Sequence, residues 1–460
     1  MTSDNGEFDM TPTESKTTGT VGNFSHGSRE TPLTSVSPME ADRSEKARSL
    51  KSDMHVTGES DRPIVPGKPA NKGGVPPPAE SVEGRGLTEE NTWQSLLDRT
   101  QRRNSDGTPF EPRSRGLWGV REAARKDKKC RFTNLMHHLS PELLRASFFA
   151  LKKQAAPGTD GETWRDYAKD FERRIDDLHG RIHRGAYRAK PSKRTYIPKP
   201  DGKLRPLGIA ALEDKIVQQA ARTVLECIYE QDFLGFSYGF RPGRSQHRAL
   251  DALYVGITKR KVNWIIDADI RGFFDNISHE WLMKFLEHRI ADRRMLRLLK
   301  KWLRAGVSED GEWSPTKVGT PQGAVISPLY ANVFLHYVLD LWIHAWRKRH
   351  ARGEVIMVRY ADDFVIGFRE ESDAQRCLAA LRERLAKFGL ELHPDKTRLI
   401  QFGRYAQERR AKRGEGKPET FDFLGFTHIC GQTQRGDFTI HRTTSRKNAG
   451  SFFDRKKFNS

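Results

Sequence analysis

From Val355 to Phe368 two apolar, β-rich runs flank Tyr360-Ala361-Asp362-Asp363. Such a pattern reads as a hairpin and puts two adjacent carboxylates at its tip. Neighbouring like charges repel unless a cation bridges them, although Asp is also common in ordinary turns. A second apolar segment, Trp264-Ile265-Ile266-Asp267-Ala268-Asp269-Ile270, places Asp267 and Asp269 on one strand face, opposite Ile266 and Ile270. Carboxylates within such a strand are costly unless neutralised; an edge strand with solvated acids, or a helix-capping Asp, is the alternative to a metal site. Magnesium takes a few carboxylates together with water and phosphate oxygens. Paired ions can serve both the attacking and the leaving oxygen of an in-line displacement. Asp269, Asp362 and Asp363 are the expected ligand set.

Around these segments helices and strands interleave, which predicts an α+β fold. Helical spacing marks Leu212 to Tyr229, Glu280 to Ala305, Leu329 to His350 and Asp373 to Phe388. Ser140-Pro141-Glu142 reads as a helix start, with Ser as N-cap and Pro in the first turn. Tyr196-Ile197 and Leu204 to Ile209 predict a hairpin closed by Asp201-Gly202. Gln407 to Thr420 reads as a solvated loop. Residues 1 to about 90 are rich in Ser, Thr, Gly and Pro and lack periodicity, which predicts a disordered leader. The acids Asp4, Glu7, Asp9 and Glu14 argue against an organellar transit peptide.

The 80 Lys and Arg residues against 60 acidic ones, a formal charge of +20, favour a polyanionic partner. Nucleic acid leads, because no run of about 18 apolar residues suggests a membrane span and no early apolar stretch resembles a signal peptide. Cys130, Cys227, Cys377 and Cys430 lie far apart with no C-x-x-C pair, which argues against a zinc module or a disulfide framework. A cytoplasmic protein with reduced thiols is expected.

D-I-x-x-x-F at 269 to 274, P-Q-G at 321 to 323 and Y-A-D-D at 360 to 363 resemble, in order and spacing, the palm motifs of reverse transcriptases. RPLGI at 205 to 209, FSYGFRPGRS at 236 to 245, GLELHPDKT at 389 to 397 and FDFLGF at 421 to 426 resemble bacterial group II intron-encoded reverse transcriptase/maturase proteins. The likeness runs from about Leu139 to Gly431.

This resemblance implies a right-hand polymerase with fingers and palm, the antiparallel palm sheet backed by helices. The expected division is a leader at 1–92, a basic extension at 93–138, fingers at 139–260, a palm with its primer-grip hairpin at 261–430, and a shortened start of the thumb and maturase region at 431–460. It also implies RNA-directed DNA synthesis with two Mg2+ ions, Mn2+ being a possible substitute in vitro, held by Asp269, Asp362 and Asp363. Lys396 would lie near the leaving pyrophosphate and Lys203 and Arg205 against the triphosphate. Phe274 would lie beneath the incoming sugar and Gln322 beside nucleotide and template, while Arg241 to Ser245 would contact the template. The partners implied are intron RNA as template, a DNA or RNA primer and deoxynucleoside triphosphates, in the cytoplasm of a bacterium. The alternatives are an impaired remnant that binds RNA and assists splicing, and a reverse transcriptase of another retroelement or defence system.

Overall fold

The computed structural model describes residues 115–198 and 204–445. The expected leader, the first part of the basic extension, the Asp201-Gly202 turn, Lys203 and residues 446–460 lie outside the described residues. The described fold is the expected mixture of helices and largely antiparallel sheets.

The helix Leu212–Asp232 is apolar on nearly every side, and Ile216, Val217, Ala220, Ala221, Val224, Leu225 and Ile228 are all buried. A helix with so little polar face must be surrounded. The helices Arg115–Lys126 and Pro141–Ala150 pack on it, the first through Val120 and Ala124. Pro141–Ala150 starts as its sequence predicts: the Ser140 hydroxyl accepts from Leu143 N at 3.3 Å, and Pro141 occupies the first turn.

Strands β1 (Ser192–Pro198) and β2 (Leu204–Ile209) form the expected hairpin, with Tyr196 opposite Pro206. Strand β3 (Trp264–Ala268) belongs to another sheet. Strands β4 (Val307–Glu309) and β5 (Glu312–Ser314) extend the first sheet to the order β2-β1-β4-β5, β4 joining β1 in parallel through Ser192 and Val307. Strands β6 (Val355–Tyr360), β7 (Asp363–Phe368) and β8 (Arg398–Gln401) complete the antiparallel sheet β6-β7-β3-β8. It is covered on both faces. Ile266, Ala268, Phe364 and Ile366 join the helical core, while Ile265, Val358, Val365 and Ile400 meet Ala249, Leu250 and Leu253 of the helix Gln246–Lys259. Burial on both sides explains why these strands read as continuous apolar runs rather than alternating ones.

Three expectations are corrected. Glu280 to Ala305 is two helices, His279–Glu287 and Arg293–Arg304, because the chain near Phe132 inserts between them. Phe132 N donates to Arg289 O at 2.8 Å, and Phe132 O accepts from Ala291 N and Asp292 N at 2.8 and 2.9 Å. The buried Asp292 carboxylate then accepts from Leu135 N, Met136 N, Arg294 N and Met295 N, which caps the second helix. Burial raises its pKa, but these four N–H groups outweigh burial and leave it below its ordinary value. The start of the predicted loop from Gln407 is helical, Ala406–Lys412. The expected boundary at 431 falls inside strand β10: β9 (Phe421–Phe423), β10 (Phe426–Gln432) and β11 (Phe438–Thr444) form one sheet, β11-β10-β9, whose Phe421, Phe423 and Ile440 pack on the core beneath β3.

The long helical run expected at Leu329 to His350 is present as Ser327–Leu335, a π turn His336–Asp340 and Leu341–Arg349. His336 in that turn is 3% exposed, meets Phe233 edge-on at 5.5 Å and has no partner for Nδ1. Burial, with the Arg359 charge adding, holds its pKa down to about 3. The unfolded chain therefore takes up a proton below about pH 6.5 that the folded chain refuses, so stability falls as pH drops. Replacing His336 by Leu is expected to remove about 1.4 kcal/mol of that loss per pH unit between about pH 6 and 4. Urea unfolding across this range measures it, and parallel pH profiles for the two proteins would contradict it.

Candidate active site

The sheet brings together what the chain separates. In the β3–β7 register Ala268 lies opposite Phe364, and one further step sets Asp269 against Asp363 at the same sheet end. Strands β6 and β7 close through a two-residue turn, Ala361-Asp362, between the paired Tyr360 and Asp363. All three predicted carboxylates therefore meet at one place.

Their electrostatics fit a cation-seeking site. Burial, then the charges of Asp362 and Asp269, push Asp363 up to about 7. Asp363 is itself solvent-exposed, so the like-charge contribution is the part of that rise that rests least on burial. Asp362 is raised by burial and by Asp269, with Arg359 and Arg205 acting in the opposite sense. Asp267, on the same strand face, is instead taken by Arg398 Nη2 at 3.2 Å, which separates the two strand acids by partner.

Lys396 Nζ donates to Asp269 Oδ2 at 2.6 Å. Its loop is laid antiparallel to the chain after β3: Arg271 N donates to Glu391 O and His393 N to Asp269 O, at 2.9 and 2.8 Å. The ammonium thus stands where a metal cation would neutralise Asp269, rather than apart from the carboxylates. Among the described residues no group of three His, Cys, Asp or Glu side chains is gathered closely enough to hold an ion as they stand. The mutually repelling carboxylates and the lysine already on one of them fit a divalent cation.

The acidic turn is held from behind. Ala361 has φ +58°, the left-handed region that costs a residue with a Cβ. Beneath it Arg359 is fully buried, and its five N–H donors meet five acceptors. Nε and Nη2 bind the two oxygens of buried Asp340 at 2.7 and 2.5 Å, Nη1 reaches Asn332 Oδ1 and Ala361 O at 3.1 and 2.8 Å, and Nη2 also reaches Ser237 Oγ at 2.7 Å. The segment Phe236 to Phe240 is laid along β6, with Arg359 N donating to Phe236 O and Tyr238 N to Arg359 O. A Cβ on Gly239 would lie 2.3 Å from Ala361 N, so only glycine permits this approach. The expected template contact at Arg241 is corrected. Its guanidinium is buried on Glu230 and on the carbonyls of Leu234 and Ser237, and so turns inward.

Phe274 follows Gly272 on the short helix Phe273–Asn276 and is half-buried. Its carbonyl accepts from Thr320 N at 2.8 Å, which lays the Pro321-Gln322-Gly323 loop alongside. Gln322 O in turn accepts from Gly208 N at 2.6 Å, tying the loop to β2, where Arg205 is exposed. Between these elements opens a cleft of about 270 Å³ lined by Arg194, Pro206, Asp275, Thr320 and Gln322. Lys203 lies outside the described residues.

Residues 197–428 match the family described as reverse transcriptase (RNA-dependent DNA polymerase). The chain belongs to the reverse transcriptase family. This reverse transcriptase is 32% identical over 367 residues to the protein YkfC of Escherichia coli K12, covering 72% of this chain and 91% of that protein. Over 220 residues it is 38% identical to the group II intron-encoded protein LtrA of Lactococcus lactis, covering 46% of this chain and 36% of LtrA. A 91 kDa protein in the cob intron of Schizosaccharomyces pombe is 31% identical over 240 residues, 51% of this chain and 29% of that protein. The reverse transcriptase thus spans most of YkfC but about a third of LtrA, and its kinship is with intron-encoded proteins.

Sequence reasoning missed the support of the acidic turn. A signal was present: Arg359 interrupts the apolar run of β6 and Asp340 interrupts the apolar run of its helix, and two lone opposite charges in buried elements call for each other. Replacing Arg359 by Ala leaves the Asp340 carboxylate buried and unpaired, and is expected to cost about 3–5 kcal/mol of stability in denaturant unfolding. Arg359→Ala with Asp340→Ala should recover part of that loss. A single variant as stable as the parent would refute the account.

Proposed function

We propose that this reverse transcriptase copies the RNA of a group II intron into DNA, using a DNA or RNA primer and deoxynucleoside triphosphates, in the cytoplasm of a bacterium. The observation that carries the reading is the convergence of Asp269, Asp362 and Asp363 at one sheet end, with a lysine ammonium on Asp269 in the position of a cation. In support of this location, no helix among the described residues is long and apolar enough to cross a membrane.

These three carboxylates would hold two magnesium ions, with manganese as a substitute in vitro, and the ions would neutralise charge on the primer hydroxyl and on the triphosphate. Lys396 would move off Asp269 on loading, leaving its ammonium free to donate a proton at Nζ to the departing pyrophosphate. Arg205 and Lys203, carried by the β1–β2 hairpin, would hold the triphosphate, Arg205 through its guanidinium fork. Gln322, tied to β2 and to Phe274 by its loop, would orient the nucleotide against the template base. The Phe274 ring would occupy the space a ribose 2′-hydroxyl needs.

Primer extension on an RNA template tests the assignment. Asp362→Ala with Asp363→Ala should lower deoxynucleotide incorporation on the order of 1,000-fold while RNA binding persists. Incorporation equal to that of the parent would overturn the site. Phe274→Ala should relax discrimination against ribonucleotides on the order of 10- to 100-fold, read as the ratio of kcat/KM for the two sugars. An unchanged ratio would remove Phe274 from sugar selection and leave the carboxylates untouched.

A further inference from the structure

A second concentration of positive charge lies away from the carboxylates, where the helix Phe171–Arg184 ends and the helix Arg293–Arg304 runs past it. The second helix reads RRMLRLLKKWLR, with six basic residues and no acid among its twelve. Met295, Leu298, Leu299, Trp302 and Leu303 form its buried face, so the remaining face is almost entirely cationic. Between it and the turn at Gly185 is a cavity of about 380 Å³, lined by Arg184, Arg294, Arg297, Lys301, Tyr187 and Met136 among others.

No carboxylate lines this cavity, and among the described residues none of its four cations has a carboxylate ion-pair partner. Main-chain carbonyls hold two of them. Arg294 Nη2 donates to His183 O at 2.7 Å, and Lys301 Nζ donates to Gly185 O at 3.5 Å and to Tyr187 O. Carbonyls fix the positions of these side chains without cancelling their charge. Arg184 and Arg297 are exposed and make no hydrogen bond or ion pair among the described residues. Burial, then the charges of Arg297 and Arg188, hold the Lys301 ammonium below its ordinary value.

A solvated helix face would ordinarily intersperse acids, and this chain does so close by. Arg145 and Arg181, at the helix Phe171–Arg184, pair with Glu172, Asp176 and Asp177. The cavity departs from that habit. Like charges gathered in a concavity, two of them already immobilised, suit an anion that accepts from several donors at once. Guanidinium forks match phosphate oxygens in particular. We infer that this cavity is a second nucleic-acid contact, gripping the phosphodiester backbone of RNA outside the catalytic cleft. The inference rests on the reading that the chain works on RNA, and it shares no residue with the carboxylate site.

The test is the salt dependence of binding of the full chain to an RNA hairpin, followed by fluorescence anisotropy. Each phosphate contact removed should lower the slope of log affinity against log salt by about 1. Arg184→Ala with Arg297→Ala is therefore expected to lower it by about 2 and to weaken binding about 10- to 100-fold near physiological salt. The corresponding pair of lysine substitutions should keep most of the slope, and Arg297→Gln alone, at an exposed position, should lower it by about 1. A DNA hairpin of the same sequence showing the same loss would identify the phosphodiester as the ligand. Alanine and glutamine variants that unfold with the parent yet keep its slope would overturn the inference, as would loss of polyglutamate binding with none of RNA. Asp362→Ala with Asp363→Ala should keep the full slope, so the catalytic reading and this one fail by separate measurements.

Discussion

The buried Arg359–Asp340 pair is the contact on which the geometry of the acidic turn depends. Two ions removed from water carry a desolvation cost of several kcal/mol each, and their attraction offsets it only when the remaining donors are satisfied. Here every guanidinium donor has an acceptor, and each acceptor comes from a different part of the chain: the long helical rod, the 236–240 segment, and the turn itself. The guanidinium thereby ties three elements to the one backbone carbonyl, Ala361 O, that precedes the two catalytic acids. Fixed in this way, Ala361 can keep a left-handed conformation that free alanine disfavours.

That arrangement explains why some of the site was legible in the sequence and some was not. Asp269, Asp362 and Asp363 stood out because acids within apolar runs are rare and need a reason. The antiparallel alignment that brings Asp269 opposite Asp363 adds the long-range step that no local pattern encodes. The β1–β2 strands were legible from composition, and the Ser140 cap from local chemistry. The break between the helices His279–Glu287 and Arg293–Arg304 was not, because helical periodicity persists on both sides and the interruption is caused by Phe132, more than 150 residues earlier. Arg241 misled for the opposite reason. A basic residue in a Gly-Pro turn looks solvent-facing, yet its five donors are consumed by Glu230 and two carbonyls.

The sheet β11-β10-β9 shows how the far end of the described chain is bound to the palm. Phe421 and Phe423 read equally well as core residues or as part of a primer-facing hairpin. They are buried against Phe402 and the core beneath β3, which makes packing their first role. What the hairpin offers to a primer must come from its exposed residues, held in register by that packing.

The π turn at His336–Asp340 carries one more residue than an α-helical path between the same ends would need. That extra residue sets the angular position of Asp340 about the rod axis. Loss of a single residue there would let the rod revert to regular winding and swing the carboxylate by about 100°, away from Arg359. The count of residues between Asn332 and Asp340 is therefore constrained independently of their identity, and this stretch should tolerate exchanges of side chain far better than any change of length.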